Sequence, residues 1–260
     1  MEWSLVYKRA IYPDGSLLFP ERLTKEFLDN ARRTQGSYIF ANQYLNEVIP
    51  EDQKSFKDAW LRNYEKLPEE LTHFGFIDPA IGQKVHSDYT GVVIVSVDLI
   101  GNWYLRLAAR YRITPTEIVS KMFDICREFQ LNALGVESVA YQEALLYMVD
   151  EEMRRRNVVL PVKGITRSGM SKQVRILGLV PRFEWGRIFV KRGFKDFEDE
   201  FATFPRGSHD DILDALASIE EIAFKPEEKK PDETEPAPND PRYESWYIRQ
   251  LVARQQSKAF

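Results

Sequence analysis

Cysteine and histidine are scarce in this chain. Its 260 residues hold one cysteine, Cys126, and three scattered histidines, His73, His86 and His209. One thiol excludes an intrachain disulfide framework and a cysteine-ligated zinc site, and fits a reducing compartment. The histidines lack the paired spacing of a zinc protease. No Gly-x-x-x-x-Gly-Lys-Ser/Thr loop is present, which excludes a P-loop ATPase, and no Gly-x-Ser-x-Gly elbow for a serine nucleophile. No apolar run approaches the ~20 residues of a membrane span. The opening Met1-Glu2-Trp3-Ser4 has neither the basic nor the apolar part of a signal peptide. Internal repeats are also missing.

Positive charge is not in surplus overall, the formal net charge being −4. It is unevenly spread. Residues 163–195 hold nine Lys or Arg and a single acid, Glu184. That local surplus is what a phosphate-binding face needs. Residues 226–241 hold five prolines, six acids and two lysines. Such a stretch cannot bury enough apolar surface to order itself, so residues 225–241 read as a disordered acidic, proline-rich linker. Residues 242–260 recover Tyr243, Trp246, Tyr247, Ile248, Leu251 and Val252, a candidate docking helix.

The rest divides by period. Residues 1–70 read as a lead-in that packs on the domain, with a helix at 23–33 stopped by Gln35-Gly36-Ser37. From 71 to 224 the pattern is that of an α/β domain. Runs at 74–78, 91–98 and 103–111 are rich in Val, Ile and aromatics, and Ile100-Gly101-Asn102 should close the last two into a hairpin. Thr114-Pro115-Thr116-Glu117 opens a helix with a capping box and proline in the first turn. A strand at 133–137, a helix at about 140–156 and a strand at 158–162 follow. Right-handed crossovers then predict a mixed five-stranded sheet of order 3-2-1-4-5, strand 2 antiparallel, flanked by helices. This is an RNase H-like sheet. Beyond it, the spacing predicts a helix at 171–179 ended by Pro181, a small added hairpin at 183–190, and helices at 194–204 and 208–224.

In that sheet the first and fourth strands are neighbours, and their carboxyl ends form the crevice where ligands bind in open α/β sheets. Asp78 and Glu137 end those two strands. The late helix adds Asp210, Asp211 and Asp214, with Asp210 and Asp214 four apart on one face. Ser208 and Asp211 match a capping box, which accounts for one acid but not three. Three close carboxylates need a cation or a basic group to offset them. Carboxylates from three elements are a donor set for Mg²⁺ or Mn²⁺. Two such ions activate a water and stabilise a leaving 3′ oxygen in phosphodiester cleavage. Lys163, Arg167, Lys172 and Arg175 are the expected DNA contacts. Asp88 and His209 are secondary candidates, with Asp214, and Asp98 reads as a turn residue.

Several short motifs carry a family resemblance. They are Phe76-Ile77-Asp78-Pro79-Ala80, Ser87-Asp88-Tyr89-Thr90-Gly91, Gly135-Val136-Glu137-Ser138 and Gly207-Ser208-His209-Asp210-Asp211-Ile212-Leu213-Asp214-Ala215. With Gly15-Ser16-Leu17-Leu18-Phe19-Pro20 and Ala41-Asn42-Gln43-Tyr44-Leu45-Asn46 ahead of them, the chain over residues 12–224 resembles the C-terminal nuclease domain of a tailed-bacteriophage terminase large subunit, the DNA-packaging motor. The resemblance implies a metal-dependent endonuclease that cuts double-stranded concatemeric viral DNA in the host cytoplasm, using Mg²⁺ or Mn²⁺, two ions by the chemistry above. It maps the family's three acids to Asp78, Glu137 and Asp211, with Asp210 an adjacent metal-ligand candidate. It also implies a terminase ATPase domain, which this chain lacks, and a portal protein and small terminase subunit as partners; no membrane is involved. Another RNase H-like nuclease, of resolvase or transposase type, is one alternative. A DNA-binding module of the motor that is inactive in isolation is the other.

Overall fold

Apolar β-runs, the central ones buried on both faces, build one mixed sheet. The computed structural model describes residues 8–47, 55–79, 89–137, 140–166, 169, 171–226, 243–244 and 247. Two units divide at residue 226. In the first, the central strands are β2 (Leu71–Asp78), β3 (Thr90–Asp98), β4 (Trp103–Tyr111), β5 (Ala133–Glu137) and β6 (Val162–Ile165), with a two-residue β1 (Arg62–Asn63) and β7 (Ile188–Val190) at one edge. The sheet order is β1-β7-β4-β3-β2-β5-β6. β3 is antiparallel to β2 and β4, and β2, β5 and β6 run parallel.

The five central strands thus have the expected 3-2-1-4-5 order within a seven-stranded RNase H-like sheet. The expected hairpin at 183–190 is not formed. Residues Val180–Glu184 are a short helix, α5, with Pro181 in its first turn, where a missing N–H costs nothing. Gly186 then turns at φ 63°, and Ile188–Val190 joins β4 in parallel. Pro181 therefore opens a helix as well as following α4 (Lys172–Leu177). β1 pairs with β7, so the lead-in also contributes to the sheet. The strand expected at 158–162 begins at Val162.

Helices cover both faces. α2 (Pro115–Phe129) starts with the Thr114/Glu117 capping box. With α3 (Ala140–Arg156) it lies on one face, where Ile118, Val119, Met122, Leu145 and Val149 pack on Ile77, Val92, Ile94, Leu134 and Val136. α4, α5, α6 (Lys195–Thr203) and α7 (Asp211–Ser218) bury the opposite set, Phe74, Phe76, Val93, Val95 and Ala133. The alternation of faces is the period of two of a strand. α1 (Lys25–Tyr44) runs through the expected stop, kinked at Gly36 with φ 77° and ψ 165°. Its Leu28, Ala31 and Phe40 form a small separate core with Ala10. A Cβ at Gly36 would lie 3.0 Å from the Pro181 ring, so the kink is also where α1 meets α5.

No helix among the described residues is long and apolar enough to cross a membrane. The acidic linker lies outside the described residues. In the second unit Tyr243, Glu244 and Tyr247 are helical, with the two tyrosine rings stacked at 6.2 Å. The other residues of the expected docking helix also lie outside the described ones.

Candidate functional site

Strand parity and register bring the sequence-predicted acids to one end and one face of the sheet. Phe74 and Phe76 point to the α7 side, so Asp78, two residues on, continues that face. In β5, Ala133 lies in the same core, and a Cβ on Gly135 would strike the Phe76 ring at 2.6 Å. Glu137 continues this parity. Ile77 pairs with Val136, and one more step of that register sets Asp78 beside Glu137. On its other side Asp78 pairs with Gly91 of β3.

Gly91 explains how α7 reaches this level. A Cβ there would lie 2.6 Å from the Asp211 carbonyl oxygen and 3.6 Å from Ala215 Cβ. The absent side chain lets the first turn of α7 rest on β3, one strand spacing, about 4.8 Å, from Asp78. The apolar residues Ile212, Leu213 and Leu216, all fully buried, anchor the helix on that face.

The helix does not start as expected. The Ser208/Asp211 capping box is absent: Asp210 is the N-cap and its side chain makes no capping bond. Glu200 of α6 caps instead. Its Oε2 accepts from Ile212 N at 2.9 Å and Leu213 N at 3.1 Å, two of the orphan N–H groups of the first turn. The carboxylate is fully buried, and its Oε1 faces Arg110 Nη1 at 3.6 Å. Burial raises its pKa to about 7, with the Asp211 charge adding to the rise and the two amides and Arg110 opposing it. Glu200 gives no signal in sequence because its partners are twelve and thirteen residues away in a different helix.

The acids are held by cations. Lys172 Nζ lies 2.6 Å from Asp210 Oδ1, 3.2 Å from Asp211 Oδ1 and 4.0 Å from Asp214 Oδ2. Burial works against its charge, but the Asp210 hydrogen bond and the three carboxylates outweigh it, so its pKa is raised. Arg175 Nε and Nη2 both donate to Asp214 Oδ1 at 2.7 Å. Asp214 is buried, so this pair is an internal one. Two of the four residues singled out as DNA contacts therefore face the acids. Lys163 is exposed on β6, while Arg167 and Asp88 lie outside the described residues. His209 Nδ1 is 3.9 Å from Asp211 Oδ2, and its ring meets Tyr89 edge-on at 5.1 Å. Asp98 is the turn residue expected, accepting from Ile100 N, Asn102 N, Asn102 Nδ2 and Tyr104 Oη.

Among the described residues, no group of three or more His, Cys, Asp or Glu side chains is drawn tightly enough to hold a metal ion. The donors nevertheless suit one. They are carboxylate oxygens, the donors hard divalent cations prefer, and Asp210 and Asp211 already converge on the single positive charge of Lys172.

No protein-family model and no curated protein matches the chain. Solved structures do. The large terminase of a thermophilic bacteriophage superposes with a TM-score of 0.57 at 12% identity, over 77% of this chain and 53% of that one. The human cytomegalovirus terminase nuclease domain gives 0.48 at 13% identity, over 65% and 95%. Thermus thermophilus RuvC, bound to a Holliday junction substrate, gives 0.35 at 16%, over 56% and 89%. This chain spans about half the length of the thermophilic phage protein. That superposition and the strand order together establish that the chain has the RNase H-like fold found in a bacteriophage large terminase.

Proposed function

We propose that this chain is the nuclease part of a viral DNA-packaging motor: a metal-dependent endonuclease that cuts double-stranded concatemeric DNA in the host cytoplasm. What supports this is that Asp78 and Glu137 end neighbouring parallel strands, and that the first turn of α7, which carries Asp211, rests against Gly91, the residue paired with Asp78. Asp78, Glu137 and Asp211, with Asp210 beside them, would hold Mg²⁺ or Mn²⁺. Divalent ions held there would supply water activation and charge stabilisation at the leaving oxygen.

The chain's own residues do the rest. Asp78 and Glu137 sit on buried strands that cannot shift without disturbing the core, which fixes their spacing. Asp211 is carried on α7, held by Gly91 below and Glu200 at its end. Lys172 offsets part of the combined charge of Asp210 and Asp211. In the whole motor the chain would work with an ATPase domain, a portal protein and a small subunit.

Plasmid digestion tests the proposal. Cutting in Mn²⁺ or Mg²⁺ that stops in EDTA and in Asp211→Ala is expected. The Lys172 contacts favour one second reading, a motor module held silent until a partner displaces the lysine. DNA binding without cutting, even at high Mn²⁺, would select it over the nuclease.

A further inference from the structure

With Lys172 and Arg175 engaged by the acids, other cations are left to hold the DNA backbone next to the cut. The same sheet end carries one. Gly91 pairs with Arg110 of β4, and Thr90 with Tyr111, so Arg112 lies just past the end of β4. β4 is two strand spacings from Asp78, about 10 Å. That is about three steps of axial rise along one DNA strand.

Arg112 has the right chemistry. Its guanidinium lies over the Tyr89 ring, 4.4 Å from the centroid, and Arg110 sits 5.0 Å from the same centroid. Arg110 is committed to Asp196 and Glu200. Arg112 is exposed and, among the described residues, has no ion pair. A cation–π contact holds the guanidinium over the ring without consuming its N–H donors, which stay able to grip a phosphate. Tyr89 is fixed in turn by the edge of His209, one residue from Asp210. The stack is thereby tied to the turn that carries the acids.

We propose that Arg112, held over the Tyr89 ring and flanked by Arg110 and His209, is a phosphate clamp for the DNA backbone flanking the cut. This rests on the assignment of the chain as a DNA-cutting protein.

The test is duplex binding by fluorescence anisotropy in EDTA, across a range of salt, for wild type, Arg112→Ala, Arg112→Lys and Tyr89→Leu. Arg112→Ala should weaken binding about threefold to tenfold and lower the magnitude of the log–log salt slope by about one, the loss of one phosphate contact. Arg112→Lys should restore the slope, since it returns the charge, but only part of the affinity, since it lacks the fork. Tyr89→Leu should weaken binding with the slope kept. Mn²⁺ affinity measured by calorimetry should be the same in wild type and Arg112→Ala. Wild-type binding with an unchanged slope and affinity in Arg112→Ala overturns the clamp alone. A wild type that binds no duplex overturns the DNA assignment and the clamp together.

Discussion

Replacing Glu200 with glutamine isolates the charge on the clasp between α6 and α7. The glutamine keeps one oxygen to accept from Ile212 N and Leu213 N, and removes the proton equilibrium. In the wild type that equilibrium is displaced from 4.5 to about 7. A pH unit is worth about 1.4 kcal/mol, so the displacement corresponds to roughly 3 kcal/mol. The sign follows from proton binding. Between pH 4.5 and 7 the folded protein keeps a proton on Glu200 that the unfolded chain has released. Stability from this group is therefore fully present below pH 4.5 and lost as pH rises through 7. Urea unfolding of both proteins in EDTA at about pH 5, 6, 7 and 8 should show the wild type losing roughly 3 kcal/mol relative to Glu200→Gln across that range. Parallel pH profiles would refute the buried-carboxylate argument.

Two further perturbations probe the site. Lys172→Met leaves Asp210 and Asp211 to repel one another, so in EDTA it should lower stability by about 1–3 kcal/mol; saturating Mn²⁺ should narrow that gap, because the variant's acids bind the ion without a competing lysine and so more tightly, and thermal melts with and without Mn²⁺ would show an equal deficit if the lysine were not a counter-ion. Gly91→Ala puts a Cβ 2.6 Å from the Asp211 carbonyl and should cost about 1–3 kcal/mol by overpacking, with a larger proportional loss of cleavage, because the displaced turn carries Asp211; full activity in a plasmid assay would separate α7 from the chemistry.

Where the local pattern and the fold agree, the sequence is easy to read. The Thr114–Glu117 box is formed as its spacing requires, because both partners lie within one turn. Asp78 and Glu137, each ending an apolar run, are legible as strand-end acids, since the period of two carries through each run to its last residue. The departures have a common origin. Pro181 and Gly186 read as punctuation between local elements, yet the pieces they delimit are α5 and a strand added to the sheet. Ser208 reads as a cap because its spacing suits one, but a buried carboxylate from another helix takes the two N–H groups instead.

The basic segment shows the division most sharply. Its composition alone establishes a local surplus of positive charge. Whether those cations face outward to phosphate or inward to carboxylate is a matter of which helix packs where. Lys172 and Arg175 are 39 residues from their partners, too far for any spacing rule to reach. Residue types, strand periodicity and order along the chain determined the five central strands and the acids that end two of them, because those depend on near neighbours. The tertiary structure decided the helix cap, the counter-ions and the Arg112–Tyr89 stack, because each is an electrostatic or ring contact between elements that meet only once the sheet has formed.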